Sequence, residues 1–178
     1  MATVANNSYQ ATEHQVNTGE TRMLAKWTWT LDNSSHATGD AVSLVETISG
    51  AARVDGFSTK ACFARVVYSV TSGTPAPKDI YFVLMSKSGV PATAPVLSAP
   101  QAWTQADAPF VLGQFLISTS DYLVTDKIAI AQKEINIDCI NEDTTPGTSI
   151  YCMAIDGQHT WTPAAGSKLE VSLWFKMS

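Results

Sequence analysis

Charge is scarce in this sequence: Asp, Glu, Lys and Arg make up 15% of its 178 residues. That is too little for a polyelectrolyte tail or a long solvated helix. The eleven Lys and Arg run from Arg22 to Lys176 without a cluster, and residues 1–20 hold none of them, so a basic RNA-binding tail is excluded. The net charge of −5 gives no general pull toward nucleic acid. Cysteine is equally sparse, and three is an odd count for a disulfide framework. No apolar run approaches the ~18 residues of a membrane span. The start, Met1 to Ser8, has neither the charged beginning nor the apolar core of a signal peptide, so synthesis and folding in a reducing cytosol are expected. Asn6-Asn7-Ser8 and Asn33-Ser34-Ser35 therefore count as chance glycosylation patterns.

Catalytic signatures are also lacking. His14, His36 and His159 lie far apart, none in a two-His pattern with an acid, which argues against zinc. Gly-rich phosphate loops and nucleophile elbows do not occur. Glu142-Asp143 sits in a turn, where acids serve solubility and local hydrogen bonding, a calcium site shared between subunits being the other reading. The expectation is a protein that is not an enzyme, with no catalytic residue, metal ligand or cofactor.

What the sequence does have is alternation. In Lys168–Met177, Leu169, Val171, Leu173, Phe175 and Met177 share one parity, and Lys168, Glu170, Ser172, Trp174 and Lys176 the other. Strand side chains point alternately to opposite faces, so this reads as a strand with one buried face. So regular an apolar face would template aggregation at an edge. The strand is therefore expected inside a sheet, paired on both sides. Ala25, Trp27, Trp29 and Leu31 alternate similarly. Val42 to Ile48, closed by Ser49-Gly50, and Lys60 to Thr71, with Cys62, Ala64, Val66, Tyr68 and Val70 on one face, read as the next two strands. Pro75 and Pro77 mark a turn. Ile80–Met85 is almost wholly apolar, as in a strand buried on both faces or lying at an interface.

Residues 88–109 hold Pro91, Pro95, Pro100 and Pro109, a loop of a length compact domains rarely keep without a purpose. Gln101–Ala106 suggests a short helix within it. Phe110–Ile117 returns to strand. Ile128–Gln132 and Ile135–Ile140 are two strands or one bent strand, and Ile150–Ile155 follows. Residues 1–20, polar and aperiodic, read as a flexible arm, disordered or laid against something else. Residues 21–178 then form one domain. Eight or nine strands without a βαβ rhythm give an all-β fold, best read as an eight-stranded jelly-roll sandwich of two facing antiparallel sheets.

Cys139 and Cys152 flank the Thr145-Pro146 turn symmetrically, so a hairpin would oppose them. A disulfide is then conceivable, a pair of small core residues being the alternative. Cys62 reads as core. Trp103 and Trp161 fall outside the strands, where they plug the ends of the fold or meet a partner.

Three stretches carry a resemblance: Asp40–Leu44 (DAVSL), Gly56–Val70 (GFSTKACFARVVYSV) and Gly73–Leu84 (GTPAPKDIYFVL). The order of a short strand after Asp-Ala, a second apolar strand, a Pro-containing turn and a third strand resembles tymovirus-type coat proteins. The match covers about a quarter of the chain and is one of pattern. The closing strand's flanking Trp and Lys, and the lack of a Pro-rich N-terminal segment, depart from that family. The resemblance implies a capsid subunit that self-assembles into a small icosahedral shell around viral RNA, held weakly and without a basic arm. It further implies assembly in the host cytoplasm, a place in the virion and no membrane partner. Trp103, Trp161, Pro95 and Pro100 are then candidates for subunit contacts. His14, Arg22 and Lys26 are candidates to face the interior or the nucleic acid. The alternative is a carbohydrate-binding, lectin-like jelly roll using Trp103 and Trp161 as sugar platforms. A secreted or phage-associated trimeric module ranks third.

Overall fold

A computed structural model describes residues 10–15, 21–52, 59–143, 147–157 and 160–177. Among these residues the chain forms ten strands: β1 (Gln10–Gln15), β2 (Thr21–Thr30), β3 (Glu46–Ile48), β4 (Thr59–Ser69), β5 (Ile80–Met85), β6 (Val111–Ile117), β7 (Tyr122–Val124), β8 (Ile128–Cys139), β9 (Ile150–Asp156) and β10 (Lys168–Met177). They build a six-stranded sheet in the order β1-β2-β10-β4-β8-β7 and a four-stranded sheet in the order β3-β9-β5-β6. Every pairing is antiparallel. The two sheets enclose a common core to which Trp27, Val66, Leu173 and Phe175 contribute from the larger sheet and Ile48, Phe82, Phe115 and Ile150 from the smaller.

The closing strand behaves as its alternation requires. β10 is paired along its length with β2 on one side and β4 on the other, and Leu169, Val171, Leu173 and Phe175 are wholly buried. Removing four such side chains from water contributes roughly 1.5–3 kcal/mol each. β5 is apolar throughout because both of its faces are covered. Ile80, Phe82 and Leu84 point into the main core, while Val83 and Met85 join Ala41, Val90 and Met153 in a second cluster on the outer side of the smaller sheet. The long proline-rich loop lies over that cluster, which is its structural purpose. Asp107 staples the loop by accepting hydrogen bonds from Ala92 N (2.9 Å) and Thr104 N (2.7 Å). Ser98, at φ 58°, holds a left-handed conformation there, donating its N–H to Ala41 O and its hydroxyl to Asp32 Oδ2.

Several expectations are corrected, and others that stood open are resolved. Gln101–Ala106 is not helical; the loop contains turns and one 3-10 turn, Ala108–Phe110. The strand expected from Val42 shrinks to Glu46–Ile48, because Ala41 and Val42 serve isolated bridges and loop hydrogen bonds instead. The two candidates within 128–140 are one strand, β8. Its pairing with β4 slips between Ala61 and Phe63, and that irregularity pushes Cys62 off the buried parity to a half-buried site where its thiol meets Trp174 O at 3.2 Å. Cys139 and Cys152 do not share a hairpin. They belong to different sheets, pairing with Thr59 and with Glu46 respectively, and both are free and buried. Burial pushes the Cys139 thiol up to about 12 and the Cys152 thiol higher still. Within the expected arm, Gln10–Gln15 forms a strand on β2, since ladder hydrogen bonds need no apolar period. His159 and the Thr145-Pro146 turn lie outside the described residues.

Candidate functional site

The outward face of the larger sheet is where the scattered cations meet. Strand alternation sends Arg22, Leu24, Lys26 and Thr28 of β2 outward, opposite the buried Met23, Ala25 and Trp27. Register then aligns these residues with the outward parity of β10, β4 and β8. One cross-strand row reads Lys26, Ser172, Arg65, Gln132. The next reads Leu24, Trp174, Phe63, Glu134, and the one beyond it Arg22, Lys176, Lys60, Asp138. Lys168 lies in a further row beside Thr30 and Ser69. Six of the eleven Lys and Arg (Arg22, Lys26, Lys60, Arg65, Lys168 and Lys176) therefore stand on this face against three carboxylates, Glu134, Asp138 and Glu170. The chain is acidic overall, so the face has the opposite sign from the molecule.

Between the two cationic rows sits an aromatic pair. Phe63 and Trp174 meet edge to face with ring centroids 5.3 Å apart, and both remain half-buried. Lys26 reaches Glu170 at 3.0 Å and Lys60 reaches Asp138 at 3.3 Å. Such exposed pairs are worth at most ~1 kcal/mol and yield readily to a competing anion. In the outermost row Lys176 has cationic neighbours on both sides, Arg22 and Lys60. Like charges directly opposed across strands are unfavourable.

The far edge of this sheet and part of the covering loop are apolar. Leu123 of β7 is 71% exposed and faces outward beside Ile130, with Val124 and Ile128 exposed nearby at the sheet's edge. On the covering loop, Val96 and Trp103 are exposed at 65% and 37%.

The expected site residues divide between these surfaces and the core. Arg22 and Lys26 lie on the cationic face, and backbone pairing sets His14 opposite Arg22 in the same row. Trp103 and Pro100 are exposed on the loop, and Pro95 is half-buried. Trp161 is only 5% exposed; it packs against Tyr68 and His36, both with ring centroids at 5.8 Å, and its backbone exchanges hydrogen bonds with that of His36. It is an end plug, and its assignment as a contact residue is corrected. Lys60, Arg65, Lys176, Phe63 and Trp174 were missed, because in sequence they are isolated and only the pairing of distant strands gathers them. For Phe63, Arg65, Trp174 and Lys176 the signal was parity, each standing on the wet side of an otherwise apolar strand. Lys60 lies beyond the irregularity at Cys62, which turns it outward against the sequence parity.

Among the described residues, one histidine–carboxylate pair has a serine beside it, and its geometry does not fit hydrolytic chemistry. Asp32 Oδ1 lies 2.9 Å from His36 Nε2, while Ser98 Oγ donates to Asp32 Oδ2 at 2.9 Å. The serine bonds the carboxylate and not the imidazole, so the three do not form a nucleophile–imidazole–carboxylate relay. Asp32 ties two loops together. No group of three or more potential metal ligands occurs among the described residues. No helix among them is long and apolar enough to cross a membrane. Comparison with protein-family models gives no match, nor does comparison with curated proteins.

Proposed function

We propose that this chain is a single jelly-roll coat subunit whose copies close into a small icosahedral shell around RNA. The observation that carries the reading is the pairing order. With the edge strands β1 and β7 set aside, eight strands remain, and each pairs with its mirror image in chain order: β2 with β10, β3 with β9, β4 with β8 and β5 with β6. An antiparallel ribbon folded back on itself in this nested way, with its pairs distributed over two sheets, is what the jelly roll requires. The exposed apolar groups at Leu123, Ile128, Val96 and Trp103 supply surface for copies to bury, and the cationic face supplies a counterpart to RNA. Closed shells arise when such contacts repeat by rotation.

Purified alone and viewed by negative-stain microscopy, the chain should form particles of uniform diameter. Persistent monomers in mild, low-salt buffer would overturn the reading. The lectin-like alternative loses one of its two sugar platforms, since Trp161 is sealed in the core.

A further inference from the structure

We infer that the outward face of the larger sheet is a binding surface for single-stranded nucleic acid, read by stacking on Trp174 between two cationic rows. The inference rests on the coat-protein reading for its biological partner, but its chemistry stands on the face itself. The rows containing Lys26 with Arg65 and Lys176 with Lys60 are four residues apart along β10, with one extra residue on β4 at the irregularity, or roughly 13 Å at strand rise. The Phe63–Trp174 pair lies midway. A flexible single strand can lay a base on the aromatic pair while phosphates on either side meet the two rows. A duplex cannot, because its base faces are already stacked. The row of Arg22, Lys176 and Lys60 points the same way, since three neighbouring cations offer a phosphate several contacts at once. Lys78, Lys87 and Lys127 sit in loops outside these rows, and Lys133, on the opposite parity of β8, bonds Leu116 O.

The test is fluorescence anisotropy of a labelled oligouridylate titrated with the full chain over a series of salt concentrations. Four proteins are compared: wild type, R22Q/K60Q/K176Q, W174A, and the charge-matched control K78Q/K87Q/K127Q. The triple variant of the face should lower the slope of log affinity against log salt by about 2, at ~0.7 per phosphate contact for single strands. W174A should weaken binding about tenfold at fixed salt, and the control should bind as wild type does. Equal losses in face variant and control would overturn the inference. So would absence of binding by the wild type, equal affinity for a duplex of the same length, or capture by phosphatidylserine vesicles in place of the oligonucleotide. Should the triple variant fail to fold by near-ultraviolet circular dichroism, K176Q with W174A carries the same comparison. Particle formation is scored separately. Shells that close but carry less RNA in the face variant support the inference, whereas shells that fail while oligonucleotide binding persists sink only the coat-protein reading.

Discussion

Trp161 and Trp103 are chemically the same side chain, and the fold puts them to opposite uses. Trp161 fills space between Tyr68 and His36, so Trp161→Ala should cost about 3–5 kcal/mol in urea unfolding. Trp103 is exposed on the loop, and Trp103→Ala should leave stability within ~0.5 kcal/mol. A reversed order of the two costs would refute the assignment. Asp143 shows how one carboxylate can brace a loop. Burial pushes its pKa upward, but hydrogen bonds from Ser88 Oγ, Tyr151 Oη, Ser88 N and Asn141 Nδ2 outweigh that and hold it at about 2. A carboxyl held below its unfolded value of ~3.9 contributes stability above that pH and loses it as pH falls toward the folded value. Tyr151→Phe removes one donor, so the Asp143 titration followed by carbon NMR should move up toward the ordinary range, and the acid loosening of the Ser88 turn should move with it. An unmoved titration would show that the tyrosine does not help to hold the charge.

At the scale of elements, the strongest strands were legible because two-residue periodicity survives without knowledge of any partner. β2, β5 and β10 each announced their burial, and β10 its place inside a sheet. What escaped was whatever a partner decides. β1 is polar and β7 is three residues long, so both exist by pairing with a neighbour and not by pattern. The irregularity at Cys62 reversed a parity that looked continuous, and the cationic face came only with the register. Two consequences follow for particular strands. Leu173, buried in the central strand, should cost about 2–5 kcal/mol as Leu173→Ala, whereas Leu123→Ser on the edge should stay within ~0.5 kcal/mol in the same unfolding assay. Deleting residues 1–20 removes β1 but leaves β2 paired with β10. The truncated chain should unfold cooperatively near the wild-type midpoint while its particles change diameter; a melted β-sandwich would show that β1 belongs to the folding unit.

For the whole molecule, the decisive feature is that it carries two kinds of surface. Cations gather over β2, β10 and β4, while exposed apolar groups collect at the β7 edge of the same sheet and on the covering loop. Electrostatic attachment to phosphate is screened by salt, with a Debye length shrinking from about 10 Å at 0.1 M to about 3 Å at 1 M. Apolar contact between copies is not screened, and excluded salts strengthen it. The two functions proposed for the chain should therefore come apart under salt. Particles assembled with RNA and brought to ~1 M sodium chloride should lose RNA, read as a falling ratio of absorbance at nucleic-acid and protein wavelengths, while keeping their diameter by light scattering. The complementary change is Leu123→Lys with Ile128→Lys, which places two charges in the exposed edge without touching the buried core. That variant should keep its thermal unfolding yet sediment as a monomer. Particles that survive the double lysine substitution would remove the β7 edge as a contact. Particles that fall apart in high salt with the edge intact would mean that charge, and not apolar burial, holds the copies together.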